Sequence, residues 1–198
     1  ECFPVFFGSA LKIQGIEDLM NAIIDLSFIK EYPKEFGARV YKISSDDQGN
    51  RLTHVKITGG VLNAKDKIGA DEKVDQIRLY NGKQFEMVQT AYPGMICALK
   101  GLNNYEVGQG LGFESDMTKP LLNAYMNYQL LLPEGVDALT MMRYCSVLAQ
   151  EDPQLQIEYD EQTKQIFLRL MGSIQMEILQ KEIEKRSKVK VGFTTGKV

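Results

Sequence analysis

Hydrophobic and polar positions change period most clearly across residues 151–191. Leu155, Ile157 and Tyr159 alternate with polar residues, Asp160–Lys164 is a polar turn, and Ile166, Leu168 and Leu170 alternate again. Two period-two runs joined by a short polar loop predict a β-hairpin. Gly172 breaks this pattern. Ile174, Ile178, Leu179 and Ile183 then recur at helical spacing. Glu177 comes early in that stretch and Lys185, Arg186 and Lys188 late, the order a helix dipole favours. Val189 and Val191 begin a further strand. Upstream, Leu121–Leu132 is strand-like and Pro133-Glu134-Gly135 punctuates it. Val136–Gln150 then places Ala138, Met141, Met142, Cys145 and Leu148 on one helical face. The order strand-helix-strand-strand-helix-strand predicts a ferredoxin-like α+β domain over residues 119–198.

The preceding stretch has a different character. Strand-like pieces lie at Ala38–Ile43, Leu52–Thr58, Lys67–Ile68, Val74–Tyr80, Phe85–Val88 and Met95–Lys100, each bounded by Gly, Asn, Asp or Pro. Many short strands at close intervals predict a small antiparallel barrel or sandwich over residues 36–118, and closure into a β-barrel is favoured because it removes exposed edges. Gly108, Gly110 and Gly112 end it, and Lys119-Pro120 leads onward. At the front, Phe3–Phe7 is apolar enough for a buried parallel strand. Gly8-Ser9-Ala10 follows, and Ile16–Leu26 carries Ile16, Leu19, Met20, Ile23 and Ile24 on one face of a predicted helix. Residues 1–35 therefore form the tail of an α/β unit and a linker. The fold class is mixed. The chain opens on Glu1 rather than Met, and the expectation is a piece of a longer protein.

Composition narrows the function classes. At 198 residues, 44% hydrophobic and 25% charged, the chain has the make-up of one or two ordinary globular domains. No apolar run approaches the roughly 18 residues of a membrane span. The formal charge of −3 sits in residues 1–36, with three basic and six acidic side chains; residues 37–116 and 119–198 carry ten of each. Such balance excludes wrapping of nucleic acid through many phosphate contacts, and leaves room for a few local contacts to RNA. Cys2, Cys97 and Cys145 are far apart and His54 is the single histidine. They read as free thiols of a reducing cytosol, and no zinc set can be assembled. His54 lies within an alternating strand, which makes it structural rather than one half of a nucleophile–base pair.

Motifs of catalysis are missing. Neither Gly82-Lys83 nor Gly196-Lys197 completes a phosphate-binding loop. Asp46–Gly49 and Asp66–Gly69 match D-x-x-G, but both fall in turns, where Asp and Gly are expected for geometry alone. Glu151 and Asp152 precede Pro153 and read as a solvated turn. Lys181, Lys185, Arg186, Lys188 and Lys190 form the densest basic run, either a solvated face or a contact surface for RNA or an acidic partner. Gly8-Ser9-Ala10 is either a plain tight turn or a place where backbone N–H groups approach a planar base.

Three groups of residues carry a resemblance. Glu151-Asp152-Pro153, the hairpin after it and Met171-Gly172-Ser173-Ile174-Gln175-Met176-Glu177 resemble the third domain of elongation factor G and its relatives. Elongation factor G has His-Leu before that glutamate; Gln175-Met176 resembles the tetracycline-resistance ribosomal protection proteins instead. Arg39–Ile43, Arg51–Thr53 and Gly60-Val61-Leu62 resemble the second-domain barrel of the same group. Pro4-Val5-Phe6 and Gly8-Ser9-Ala10 resemble the last strand and the guanine-contacting motif of its GTPase domain. The resemblance spans essentially the whole chain in order. It implies a segment of a translational GTPase that binds the ribosome, small-subunit ribosomal RNA and a small-subunit ribosomal protein in the cytoplasm, with no membrane or DNA partner. It implies GTP, with Mg, for the full-length protein only. Ser9 and Ala10 would contact guanine there, Arg51 and Lys56 are the candidates for RNA contact, and no catalytic residue is implied. The competing expectations are the translocase elongation factor G or a paralogue, and a non-GTPase module that binds RNA or a small molecule.

Overall fold

The computed structural model describes residues 3–28, 30–69, 72–118 and 124–195. Cys2, Lys119-Pro120, the start of the strand expected at Leu121–Leu132, and Gly196-Lys197 lie outside the described residues. The chain divides into two compact units, Glu1–Tyr32 and Pro33–Val198.

In the first unit, helix α1 spans Ile16–Leu26 as its periodicity predicts. Gly15 supplies the left-handed turn into it at φ 70°, and Glu17 and Asp18 occupy the positive end of the dipole. None of its residues is buried, and Met20, Ile23 and Ile24 are more than half exposed. The strand expected at Phe3–Phe7 does not form: Phe3, Val5 and Phe7 are 73–91% exposed. A parallel strand is held by neighbours on its edges, and none of the described residues pairs with this segment.

The second unit begins with ten strands: β1 (Gly37–Ser45), β2 (Arg51–Gly59), β3 (Leu62–Asn63), β4 (Lys67–Ile68), β5 (Glu72–Lys73), β6 (Gln76–Asn81), β7 (Gln84–Val88), β8 (Thr90–Ala91), β9 (Ile96–Lys100) and β10 (Gly110–Gly112). The main sheet runs β10-β1-β2-β9-β6-β7, antiparallel throughout. Its end strands do not pair with each other among the described residues, so hydrogen-bonded closure is incomplete. The β3–β8 and β4–β5 ladders cover the core instead, because Leu62, Ile68 and Ala91 join the same buried cluster as Val40, Val55, Ile77 and Leu99. Two features differ from the sequence reading. Gly110–Gly112 is itself an edge strand, with Gly112 at φ 66°, where an added Cβ would collide with the Phe36 carbonyl oxygen. A register shift between Val40 and Lys42 leaves Tyr41 outside the β1–β2 ladder, so Tyr41 and Lys42 are both exposed.

The rest of this unit is β11 (Met126–Leu131), α2 (Ala138–Glu151), β12 (Gln156–Asp160), β13 (Gln165–Leu170), α3 (Ser173–Ser187) and β14 (Gly192–Thr195). The sheet order β12-β13-β11-β14, all antiparallel, is the ferredoxin-like order expected. Asp137 caps α2 by accepting from the Thr140 N–H at 2.8 Å. Met141, Cys145 and Leu148 of α2 pack with Ile166, Leu168 and Leu170 of β13 and with Leu179 and Ile183 of α3. Each such side chain contributes about 1.5–3 kcal/mol by leaving water. The α3 stripe is only half as read: Ile174 is 75% and Ile178 59% exposed. The sheet takes the face defined by Met176, Leu179 and Ile183, and Ile174 and Ile178 fall to one side of it. The barrel cluster and this cluster share no buried residue.

Candidate functional site

One face of the barrel gathers aromatic rings and lysines. The bulge at Tyr41 sets its ring edge-on to His54, with centroids 6.0 Å apart. His54 lies 6.0 Å from Tyr80, and Tyr80 lies 5.4 Å from Phe85. Tyr80 and Phe85 stand opposite each other because β6 and β7 pair across the tight Gly82 turn. The Arg78 guanidinium lies over the Phe85 ring at 4.4 Å. His54, Tyr80 and Phe85, but not Tyr41, border an open cleft of about 710 Å³ that includes Lys42 and Lys83, both exposed.

The cleft is preorganised by two polar arrangements. Arg78 and Asp46 form an ion pair at 3.1 Å, with side chains only 7% and 12% exposed. Arg78 also donates twice to Gln76 Oε1, at 3.0 and 3.2 Å. Burial works against the Asp46 charge, but hydrogen bonds from Asn50, Arg78 and the Gln48 amide outweigh it and hold the carboxyl below its ordinary value. His54 Nε2 shares a 2.7 Å hydrogen bond with Ser44 Oγ. Burial, and then the Lys42 charge, lower the His54 pKa to about 4. The ring is therefore neutral near pH 7, and among the described residues its side-chain hydrogen-bond partner is Ser44. A row of rings flanked by lysines suits unpaired bases and their phosphates. The sequence reading missed this surface. Its only local signal is the pair Tyr80 and Phe85 flanking Gly82.

The residues expected from sequence lie elsewhere. Ser9 and Ala10 open a turn in which the Ser9 amide donates to the Gln14 carbonyl at 3.0 Å, and the Gln14 amide returns to Ser9 at 3.1 Å. Among the described hydrogen bonds, the Ala10 and Leu11 N–H groups and the Ser9 hydroxyl are not used, so these are what the turn can offer a base edge. Arg51 is turned inward: its guanidinium donates to the Tyr105 carbonyl and to Gln150 Oε1 at the end of α2. Burial lowers its pKa, opposed by Glu72 and Glu106. Lys56 is exposed on the opposite face of the same strand, beside Arg39 and Ile96 in register. The structure does not bring Arg51 and Lys56 together.

Glu151 and Asp152 are not a solvated turn. Glu151 accepts from Arg186 at 2.6 and 3.3 Å and from Ser45 Oγ of the barrel at 3.0 Å. Asp152 accepts from Gln175 Nε2 at 2.8 Å, and Gln175 Oε1 receives the Met171 amide at 2.7 Å. The two carboxylates thus fasten the end of α2 to both ends of α3. Of the basic run, Arg186 is committed to Glu151 and Glu182, while Lys181, Lys185, Lys188 and Lys190 stay exposed. Burial pushes the Cys97 and Cys145 thiols up to about 12 and about 11, so both are neutral packing groups. No cluster of three or more His, Cys, Asp or Glu suited to a metal exists among the described residues, nor a helix long and apolar enough to cross a membrane.

Comparison with known proteins matches residues 35–112 to Elongation factor G domain 2 and residues 134–195 to Elongation Factor G, domain III. The chain is 31% identical to the Tetracycline resistance protein TetP of Clostridium perfringens, over 97% of this chain and 31% of that protein. It is 27% identical to the Elongation factor G of Paracoccus denitrificans, over 99% of this chain and 32% of the relative. For the Elongation factor G of a Ruegeria species the identity is 26%, over 98% and 32%. The chain thus spans about a third of the length of these relatives. A crystal structure of a protein from Thermus thermophilus superposes with a TM-score of 0.74 at 19% identity, covering 93% of this chain and 30% of that one, which supports the fold.

Proposed function

The chain belongs to the elongation factor G family, and on that premise we propose that it is the ribosome-contacting segment of a translational GTPase of the tetracycline ribosomal-protection type. Residues 1–35 would be the end of the GTPase domain, 36–118 the second domain and 119–198 the third. GTP and Mg would belong to the whole protein. In it, the Ala10 N–H and the Ser9 hydroxyl would complete a guanine site whose other walls lie outside this chain. The partners would be small-subunit ribosomal RNA and a small-subunit ribosomal protein in the cytoplasm.

The observation that carries this reading is the higher identity to the tetracycline resistance relative, 31% over 97% of the chain, against 26–27% for the elongation factors. Gln175, which bridges Asp152 and Met171, agrees with it. The ring row of the barrel gives RNA contact a better physical basis than Arg51, whose guanidinium is already occupied. The match to two consecutive elongation factor G domains argues against an unrelated small-molecule module. The test is cell-free translation with the full-length parent, titrated with tetracycline. Recovery of translation supports a protection protein. Ribosome-stimulated GTP hydrolysis without recovery supports the second reading, a translocase or paralogue, since elongation factors G match over the same length of this chain.

A further inference from the structure

The tip of the β6–β7 hairpin carries the one Asn-Gly pair in the sequence, Asn81-Gly82. Asn81 and Gln84 close the ladder, Gly82 takes the turn at φ 62°, and Asn81, Gly82 and Lys83 are all exposed. Asparagine is chemically labile, and a following glycine, with no side chain, leaves its own nitrogen least hindered for attack on the asparagine side chain. The structure keeps this tip open. A Cβ built at Gly82 would meet nothing within 4 Å. Among the described hydrogen bonds, neither the Asn81 side chain nor the Gly82 N–H has a partner. Asn50 and Asn63 differ on both counts. The Asn50 side chain donates to both Asp46 oxygens at 3.1 Å and precedes Arg51. Asn63 Oδ1 accepts from Thr90 at 3.0 Å and precedes Ala64.

We propose that Asn81 is a modification site, converted without an enzyme to aspartate and isoaspartate with water as the co-reactant. The Gly82 nitrogen gives up its proton and bonds to the Asn81 side-chain carbonyl carbon. The bond from that carbon to the amide nitrogen breaks, and the nitrogen leaves as ammonia. One water then opens the five-membered imide. Cleavage at the side-chain carbonyl gives aspartate, and cleavage at the main-chain carbonyl gives isoaspartate. The sum is one water taken up and one ammonia released, with no oxidation or reduction. Ring closure requires Asn81 to leave the ladder, and a hairpin tip opens at little free energy. Either product sets a carboxylate beside Lys83, on the cleft that Tyr80, Gly82, Lys83 and Phe85 line. The isoaspartyl form also adds one methylene to the main chain inside the hairpin. The Asn81–Gln84 pair cannot then keep its register, and the next pair along is Tyr80 with Phe85. The conversion therefore acts on the ring surface, whatever that surface binds.

The test incubates the whole folded chain at mildly alkaline pH beside the free peptide Leu79–Lys83, which is also the tryptic fragment that contains Asn81. Mass spectrometry of the digests follows the replacement of the amide by a carboxylate, and methylation by an isoaspartyl methyltransferase counts the isoaspartyl share. The folded chain should convert at Asn81 before Asn50 and Asn63. Its rate should lie within roughly tenfold of the peptide's, because the tip opens locally at little cost. Asn81→Gln should remove the product from this fragment, and circular dichroism shows that the parent stays folded throughout. A rate more than about tenfold below that of the peptide, which would mean that the ladder shields the residue, overturns the assignment. First conversion at Asn50 or Asn63 overturns it as well.

Discussion

Replacing Asp46 by Asn should cost the barrel about 3 kcal/mol. Asp46 sits in the β1–β2 turn and faces Arg78 of β6, whose residue is only 6% exposed. Removing one partner of a buried ion pair typically costs about 3–5 kcal/mol, because the other charge stays desolvated. Here the lower end applies. Arg78 keeps its two bonds to Gln76 and the face of Phe85, and the cleft admits water. Asn can still accept from the Gln48 and Asn50 amides that Asp46 now serves at 3.1 and 2.8 Å, so the turn itself survives. The pH dependence follows from the lowered carboxyl pKa. The stabilisation is complete above the unfolded value of about 3.9 and is lost as pH falls through the lower folded value. The gap between parent and variant should therefore close below about pH 4.

The assay is urea unfolding read from backbone amide signals of β1 and β2, which report the barrel alone. This matters because two cores need not unfold as one transition. Asp47→Asn, at the exposed neighbouring position, is the control and should stay within about 0.5 kcal/mol. In the Asp46→Asn, Arg78→Met double variant the losses should fall short of additivity, because the stranded charge is gone. A loss under about 1 kcal/mol for Asp46→Asn, the value of a surface pair, would show that water in the cleft already solvates Arg78. The argument for a preorganised ring surface would then fail.

Other expectations follow from the same geometry. The His54 ring should titrate near 4 by NMR, and its lowered value makes stability fall as pH drops from about 6.5 toward 4; a midpoint near 6.5 would refute its burial. Leu168→Ala empties a fully buried site and should cost about 2–5 kcal/mol in the third domain while barrel amide signals persist, whereas Ile174→Ala should cost under about 0.5 kcal/mol. If the ring surface binds unpaired RNA, Tyr80→Ala should lose about 1–3 kcal/mol of affinity for single-stranded RNA. Lys83→Gln should weaken binding more evenly and lower the salt slope by about 1; parental affinity in both variants would exclude this face.

Periodicity made most elements legible because helices and hairpins are short-range objects. The α1 bounds, the β12–β13 hairpin and the one-sided core of α2 all follow from spacing within about fifteen residues. The errors have a common physical origin in contacts the spacing cannot encode. Phe3–Phe7 reads as a buried strand because apolar runs usually have neighbours, and here no described residue supplies one. Ile174 and Ile178 share the helical period of Leu179 and Ile183, yet the sheet covers one side of α3 only. The ring row needs the Tyr41 bulge and the β2–β9–β6 pairing to bring residues 41, 54, 80 and 85 together.

Glu151 shows most sharply what residue type alone leaves open. A Glu-Asp-Pro run at a helix end is, by composition, a turn facing water, and nothing local distinguishes it from one. Its partners stand 106 residues upstream, at Ser45, and 35 downstream, at Arg186. Arg51 makes the complementary case. Its charge and its place on a barrel strand invite an RNA contact, but Gln150 and the Tyr105 carbonyl occupy the guanidinium. Both residues are spent on contacts across more than fifty residues of sequence or between the barrel and α2, which no local pattern encodes.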